Sequence, residues 1–158
     1  RFALLTIEEP MMFRLHRTEG LLAAIAARGD PDVSLAVCTS PRFDSQRRHD
    51  VIEAMLAGPD RPTAVIALFD ALAIAVLQVA EQLSLTVPDD LSVVGFDNIG
   101  SATVSRPGLT TFDGDTAAAA RASASVLAAR IAEPRSAPRT CLIKPKLVLR
   151  ASHGPAPE

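Results

Sequence analysis

Asp97 is the side chain of this sequence best placed for ligand chemistry. It follows the run Leu91 to Val94, bounded by Pro88-Asp89-Asp90 on one side and Gly95 on the other, which has the form of a short strand covered on both faces. Its carboxylate therefore arrives where that strand stops. Three more apolar runs of strand length, Ala3 to Ile7, Val33 to Cys38 and Ala64 to Leu68, deliver other residues to equivalent positions. Together the strand ends carry Glu8 to Arg17, Thr39 to Phe43, Phe69-Asp70 and Phe96 to Ile99. That mixture of Arg, Phe, Asp, Ser and Thr suits recognition of a small polar ligand with one flat or apolar face. It contains no acid/base pair with a nucleophile beside it.

The signatures of catalysis are missing. Where a dinucleotide-binding turn would need Gly-x-Gly-x-x-Gly after the first strand, the chain reads Glu8-Glu9-Pro10-Met11, and there is no Gly-x-Ser-x-Gly elbow or Lys-containing phosphate loop. The expectation is a protein that is not an enzyme and carries no cofactor. His16, His49 and His153 are scattered and lack metal-ligand spacing, so no metal site is expected either.

The elements that must hold these residues alternate β-α-β-α-β-α-β. Helical spacing runs from about Pro10 to Arg28, Asp44 to Ala57 and Asp70 to Ser84, with Asp44 and Asp70 as expected N-caps and Gly29 and Gly58 as stops. Strands joined by helices of this length predict an α/β fold with a doubly wound parallel sheet, whose ligands lie beyond the carboxyl ends of the strands where strand order reverses. On the Asp70 to Ser84 helix, Leu72, Val76, Val79 and Leu83 form one apolar face, with Ile74 and Leu77 roughly opposite. Two apolar faces suggest burial of the second against another copy of the chain, or under a neighbouring loop. After Thr111 the pattern changes. Thr116 to Ala132 reads as an alanine-rich helix with Val126, Leu127 and Ile131 to bury, Pro134 and Pro138 frame a loop, Leu142 to Leu149 is strand-like, and His153 to Glu158 reads as a loose tail.

Composition narrows the class. The 158 residues are 48% hydrophobic without any run long enough to span a membrane, and a net charge of −2 offers no field for neutralising many phosphates. No membrane partner is expected, and this segment itself is not expected to bind DNA. Cys38 and Cys141 sit in apolar strand-like runs and are expected as small buried thiols in a reducing compartment. Beginning at Arg1 without Met, the sequence reads as a fragment.

Arg17-Thr18-Glu19-Gly20, Arg61 to Asp70, Val87 to Asn98 and Pro107-Gly108-Leu109-Thr110-Thr111, in this order and spacing, resemble the effector-binding core of LacI/GalR-type transcriptional repressors. The resemblance covers essentially the whole chain, and Val87 to Asn98 is its most specific part. It implies a periplasmic-binding-protein-like type I fold, of which the chain holds the C-terminal subdomain (1–110), a crossover segment and helix of the N-terminal subdomain (111–140), a returning strand (141–152) and a tail (153–158). The expected assembly is a cytoplasmic homodimer, joined through the Asp70 to Ser84 helix on the strength of its second apolar face, that reaches operator DNA only through a headpiece not in this sequence. A solute-binding protein of a sugar transporter shares the architecture and is the alternative. By position, Arg17 matches the family arginine that enters the cleft from the first helix, and Asp97 the acidic residue that accepts hydrogen bonds from effector hydroxyls or amines. Phe69 stands where many sugar-responsive members have Asn, which leaves a nucleoside or related metabolite open beside a sugar. Phe13, one helical turn before Arg17, either lines the cleft or packs in the core. Gly114 and Asp115 replace the family's common Gln and Pro at the crossover, so a looser crossover is expected.

Overall fold

Alternation along the strands decides which helices meet which face. In the computed structural model, which describes residues 1–156, the chain runs β1 (Phe2–Ile7), α1 (Met12–Arg28), β2 (Leu35–Ser40), α2 (Ser45–Ala57), β3 (Ala64–Ala67), α3 (Asp70–Gln82), β4 (Ser92–Phe96), α4 (Gly100–Val104), β5 (Thr110–Asp113), α5 (Thr116–Ala132) and β6 (Lys146–Val148). The six strands form one sheet in the order β2-β1-β3-β4-β5-β6. β1 to β5 are all parallel, in keeping with the doubly wound expectation, and β6 joins the edge antiparallel to β5. The chain steps one way from β1 to β2 and the other way thereafter, so right-handed crossovers put α1 on one face and α2, α3 and α4 on the other. The reversal falls between β1 and β3.

The two faces are covered very unequally. Val65, Ala67, Val93 and Gly95 are buried while their alternate neighbours Ala64, Ile66, Val94 and Phe96 are half-buried. On the buried side α3 supplies Leu72, Ala73, Val76, Leu77, Val79 and Ala80, and α2 supplies Ile52 and Leu56. Each large aliphatic so enclosed contributes about 1.5 to 3 kcal/mol relative to leaving it in water. On the other side α1 has no buried residue; Phe13, Arg17, Leu21 and Ile25, each four apart, form its half-buried row against the sheet.

Several local expectations are corrected. α3 has no bare second face: Leu77 is only 6% exposed, Ile74 packs against the core, and the positions left in water are Ala71, Gln78, Glu81 and Gln82. The helix packs against β3, β4 and α2, and both Leu77 and Ile74 join the core. Asp70 does not cap it. Phe69 occupies the cap position without a side-chain bond, and Asp70 turns into the interior. Asp44 does cap α2, accepting from Arg47 N, and Gly29 ends α1 at φ 63°, whereas Gly58 follows α2 in an extended conformation. Cys141 is exposed rather than buried, because the ladder of the last strand begins only at Lys146, after a proline that has no N–H to give it, and Cys38 is half-buried on β2, which forms the opposite edge of the sheet. α5 buries nothing fully; Leu127 and Ile131 are 61% and 71% exposed, and Val126 is half-covered. His153 is not loose: its Nδ1 lies 2.9 Å from Thr110 Oγ1, and Ser152 is fully buried, with Arg150 two residues before it bonded to Thr110 of β5 and its own carbonyl accepting from Val93 N. Pro157 and Glu158 of the expected tail lie outside the described residues.

Candidate functional site

Arg17 and Asp97, eighty residues apart in sequence, meet beyond the carboxyl ends of the strands. α1 presents Arg17 on the row that faces the sheet, and β4 ends at Phe96, so Asp97 is the first residue past the strand. Arg17 Nη2 lies 4.0 Å from Asp97 Oδ1, Nη1 donates to the Leu68 carbonyl, and the guanidinium carbon stands 3.5 Å from the centroid of the Phe96 ring. Phe13 flanks the guanidinium at 5.2 Å. Phe96 in turn stacks on Phe112 of β5, centroids 5.9 Å apart at an interplanar angle of 26°. A planar cation held over an aromatic face is favourable, most so when partly desolvated.

The electrostatics leave both groups short of satisfaction. Burial lowers the Arg17 pKa, and Asp97 offsets this only in part. Burial likewise raises Asp97, with Arg17 opposing the shift and Asp70 adding to it. A 4.0 Å pair with the Asp97 side chain 48% exposed is worth little by itself. A ligand offering a donor to the carboxylate and an acceptor to the guanidinium would satisfy both, through charge-assisted bonds of about 1.5 to 3 kcal/mol each. Beside them a cavity of about 310 Å³ is walled by Leu21, Ile66, Leu68, Phe96, Phe112 and Pro145. Its walls are apolar and Arg17 supplies the charge at its edge.

Buried contacts behind the site set the position of Asp97. Asp70, fully buried at the start of α3, accepts the Ile99 N–H at 2.9 Å and the Thr111 hydroxyl, so one carboxylate ties α3 to the loop after β4 and to β5. Gly95 is needed for this: a Cβ there would stand 2.2 Å from Asp70 Oδ1. Asp97 and Asn98 then turn the chain with φ of 114° and 53°, the left-handed region where side chains cost energy unless the surroundings hold them. The Asp97 N–H donates to Phe112 O at 2.8 Å.

Of the four residues singled out from sequence, the structure brings Arg17, Asp97 and Phe13 together. Phe69 adjoins Leu68, whose carbonyl anchors Arg17, but its half-buried ring packs against the core. Phe96, Phe112 and Asp70 go beyond the sequence-based selection. Phe96 and Asp70 were on the strand-end roll; what singled them out needed the neighbouring strand. Among the described residues no cluster of His, Cys, Asp or Glu is arranged to hold a metal ion, and no helix is long and apolar enough to cross a membrane.

Comparison with known proteins gives consistent findings. The family described as periplasmic binding protein-like domain matches residues 1–153. The HTH-type transcriptional repressor PurR of Yersinia enterocolitica is 33% identical over 115 residues, 73% of this chain and 34% of that protein. The repressor of the same name from Escherichia coli is 30% identical over the same share. Among solved structures, a LacI transcriptional regulator from a Rhodococcus species superimposes with TM-score 0.86 at 28% identity, over 99% of this chain and 57% of that one. A LacI family regulator from Enterococcus faecium with bound ribose gives 0.83 at 27%, over 98% and 56%. The regulator CelR in its cellobiose complex gives 0.83 at 26%, over 96% and 46%. The chain thus spans about a third of the curated relatives' length and about half of the solved chains.

Proposed function

From the premise that this chain belongs to the periplasmic binding protein-like domain family, as a LacI-type effector-binding core, we propose that it is the ligand-sensing part of a transcriptional repressor. Arg17 and Asp97 are the groups that grip the effector. The observation that carries this reading is their meeting at 4.0 Å over the strand ends, one on each side of the reversal in strand order.

An effector held by this pair, and by a second subdomain facing it, favours one relative orientation of the two. Coupling of about 1 to 3 kcal/mol between effector and operator sites changes DNA affinity roughly 5- to 150-fold. In this reading residues 1–110 are the C-terminal subdomain, 111–140 the crossover and a helix of the other subdomain, and 141–152 the returning strand. The exposed Leu127 and Ile131 of α5 fit a helix meant to pack on that second subdomain. The repressor works in the cytoplasm, catalyses nothing, and reaches DNA through a headpiece elsewhere in its chain. It pairs with a second copy through α3, whose outward Gln78, Glu81 and Gln82 make that contact polar. The effector is a sugar or a nucleoside-like metabolite: the carboxylate and guanidinium bind its hydroxyls, and the aromatic and aliphatic wall takes its flat side.

The test is a thermal-shift screen of the intact protein against ribose, cellobiose, other sugars and nucleosides. A ligand at about a hundred times its Kd stabilises the native state by roughly 2.7 kcal/mol. Arg17→Ala and Asp97→Ala are expected to abolish that shift without lowering the unliganded midpoint by more than a few degrees. Unchanged affinity in both variants would overturn the assignment.

A further inference from the structure

Asn98 follows Asp97 directly, and its amide is used at both ends. Oδ1 accepts from Arg150 Nη2 at 2.6 Å, and Nδ2 donates to Asp113 Oδ2 at 3.0 Å. The other oxygen of Asp113 accepts the Asp115 N–H at 2.7 Å. Asp115 caps α5 by accepting the Ala118 N–H at 3.0 Å, and its second oxygen lies 3.6 Å from Lys146 Nζ on β6. Arg150 also donates to Leu109 O at 2.7 Å and to Thr103 Oγ1 at 3.3 Å. Hydrogen bonds therefore run without a break from the residue beside Asp97 to the first turn of α5.

We infer that Asn98 is a positioning residue that couples the carboxylate of Asp97 to the start of the crossover helix α5. The inference rests on reading Asp97 as the effector contact, but the coupling itself is a property of the unliganded protein.

Chemistry makes asparagine necessary at this place. Arg150 can only donate, and the ionised Asp113 can only accept, so the group between them must offer an acceptor on one side and a donor on the other. The Asp115 N–H first, and the Asn98 amide second, hold the Asp113 carboxyl below its ordinary range, so it is ionised at neutral pH. Asp97 and Asn98 share one left-handed turn and are separated by a single peptide unit. A ligand that draws Asp97 inward rotates that unit. The Asn98 amide cannot follow without losing Arg150 or Asp113, and Asp113 passes the strain to Asp115 and the cap. Such networks respond as units rather than as separate pairs.

The experiment is amide hydrogen exchange by NMR on the whole unliganded chain, read at Ala118, with Leu4 and Leu5 of β1 as the control for general unfolding. Asn98→Asp sets two carboxylates against each other and should speed exchange at Ala118 about tenfold, as for one lost hydrogen bond of the network, with β1 unchanged. Adding Asp113→Asn restores a donor and an acceptor across the same contact, with their places exchanged, and should bring Ala118 back to within about twofold of the original. Asp97→Asn should alter Ala118 exchange about threefold in the original chain and not at all in Asn98→Ala. Ala118 unmoved by Asn98→Asp, or equal effects of Asp97→Asn with and without Asn98, would overturn the inference. Should Asn98→Asp not fold alone, the double exchange decides: native-like Ala118 exchange supports the coupling and failure to fold overturns it. None of these readouts uses an effector, so Arg17→Ala can fail its ligand test while the coupling stands, and the reverse.

Discussion

Replacing Gly95 by alanine should be far more damaging than the addition of one methyl group to a strand suggests. The new Cβ would stand 2.2 Å from Asp70 Oδ1, 3.1 Å from Leu109 Cδ2 and 3.3 Å from Ala73 Cβ. The leucine can rotate away; Asp70 cannot, because it is fully buried at the first position of α3 and holds the Ile99 N–H and the Thr111 hydroxyl. Overpacking alone costs about 1 to 3 kcal/mol. Pulling a buried carboxylate off two donors adds about 1 to 3 kcal/mol more, for a total of roughly 2 to 6. That is about a third or more of the stability expected for a domain of this size. Urea unfolding followed by circular dichroism should show the midpoint falling by about 2 M at an unchanged slope. Asp70→Ala removes the obstacle, so the double variant Gly95→Ala/Asp70→Ala should lose less than the sum of the single losses, by about 1 kcal/mol or more. A loss below about 1 kcal/mol for Gly95→Ala, or strict additivity, would refute the claim that this glycine exists to make room for that carboxylate.

Two further outcomes follow from burial. Asp97 has a folded-state pKa raised above 3.8, chiefly by burial. It therefore holds its proton more tightly folded than unfolded, its ionised form costs stability above the raised value, and that cost disappears as pH falls through the raised value toward 3.8. Asp97→Asn should then raise the urea midpoint at pH 7, by a margin that closes on acidification; a margin that widens as pH falls would refute this. The two thiols should also separate kinetically: Cys141 is exposed, whereas burial raises the pKa of Cys38. A disulfide reagent should modify Cys141 about tenfold faster or more, which Cys141→Ser would verify by removing the fast phase.

The parallel strands and their helices were legible because each apolar run of four to six residues is bracketed by turn residues, and because Asp44 and Gly29 punctuate helix ends in their usual ways. Asp97 was legible for the same reason, as the first residue beyond an unmistakable strand, whereas Arg17 was singled out by the family resemblance, the strand-end stretch Glu8 to Arg17 only containing it. What sequence could not show is what depends on the neighbouring strand or helix. Asp70 looked like a cap since caps are local; its true partners, Ile99 and Thr111, lie 29 and 41 residues away. Leu77 looked outward since periodicity along one helix does not reveal what the rest of the fold packs against it; Leu77 is buried in the core cluster. Phe96 and Phe112 became a platform for Arg17 only when β4 and β5 paired, at the rung that sets the two residues side by side. Cys141 illustrates the opposite error: an apolar run was read as strand, where the chain never reaches the sheet until Lys146.

The stitching of Ser152 has a consequence for how the protein can be made and cut. Its hydroxyl receives Thr110 N–H and donates to Val93 O, and its carbonyl receives Val93 N–H, so a residue from the far end of the chain closes the seam between two strands laid down 40 to 60 residues earlier. The same stretch of chain carries β6, and until β6 pairs with β5 the outer edge of β5 is a bare margin with open N–H and C=O groups, which invites a second molecule to add itself. Shortening the protein after the alanine-rich helix would therefore produce not a smaller version of the fold but a self-associating one.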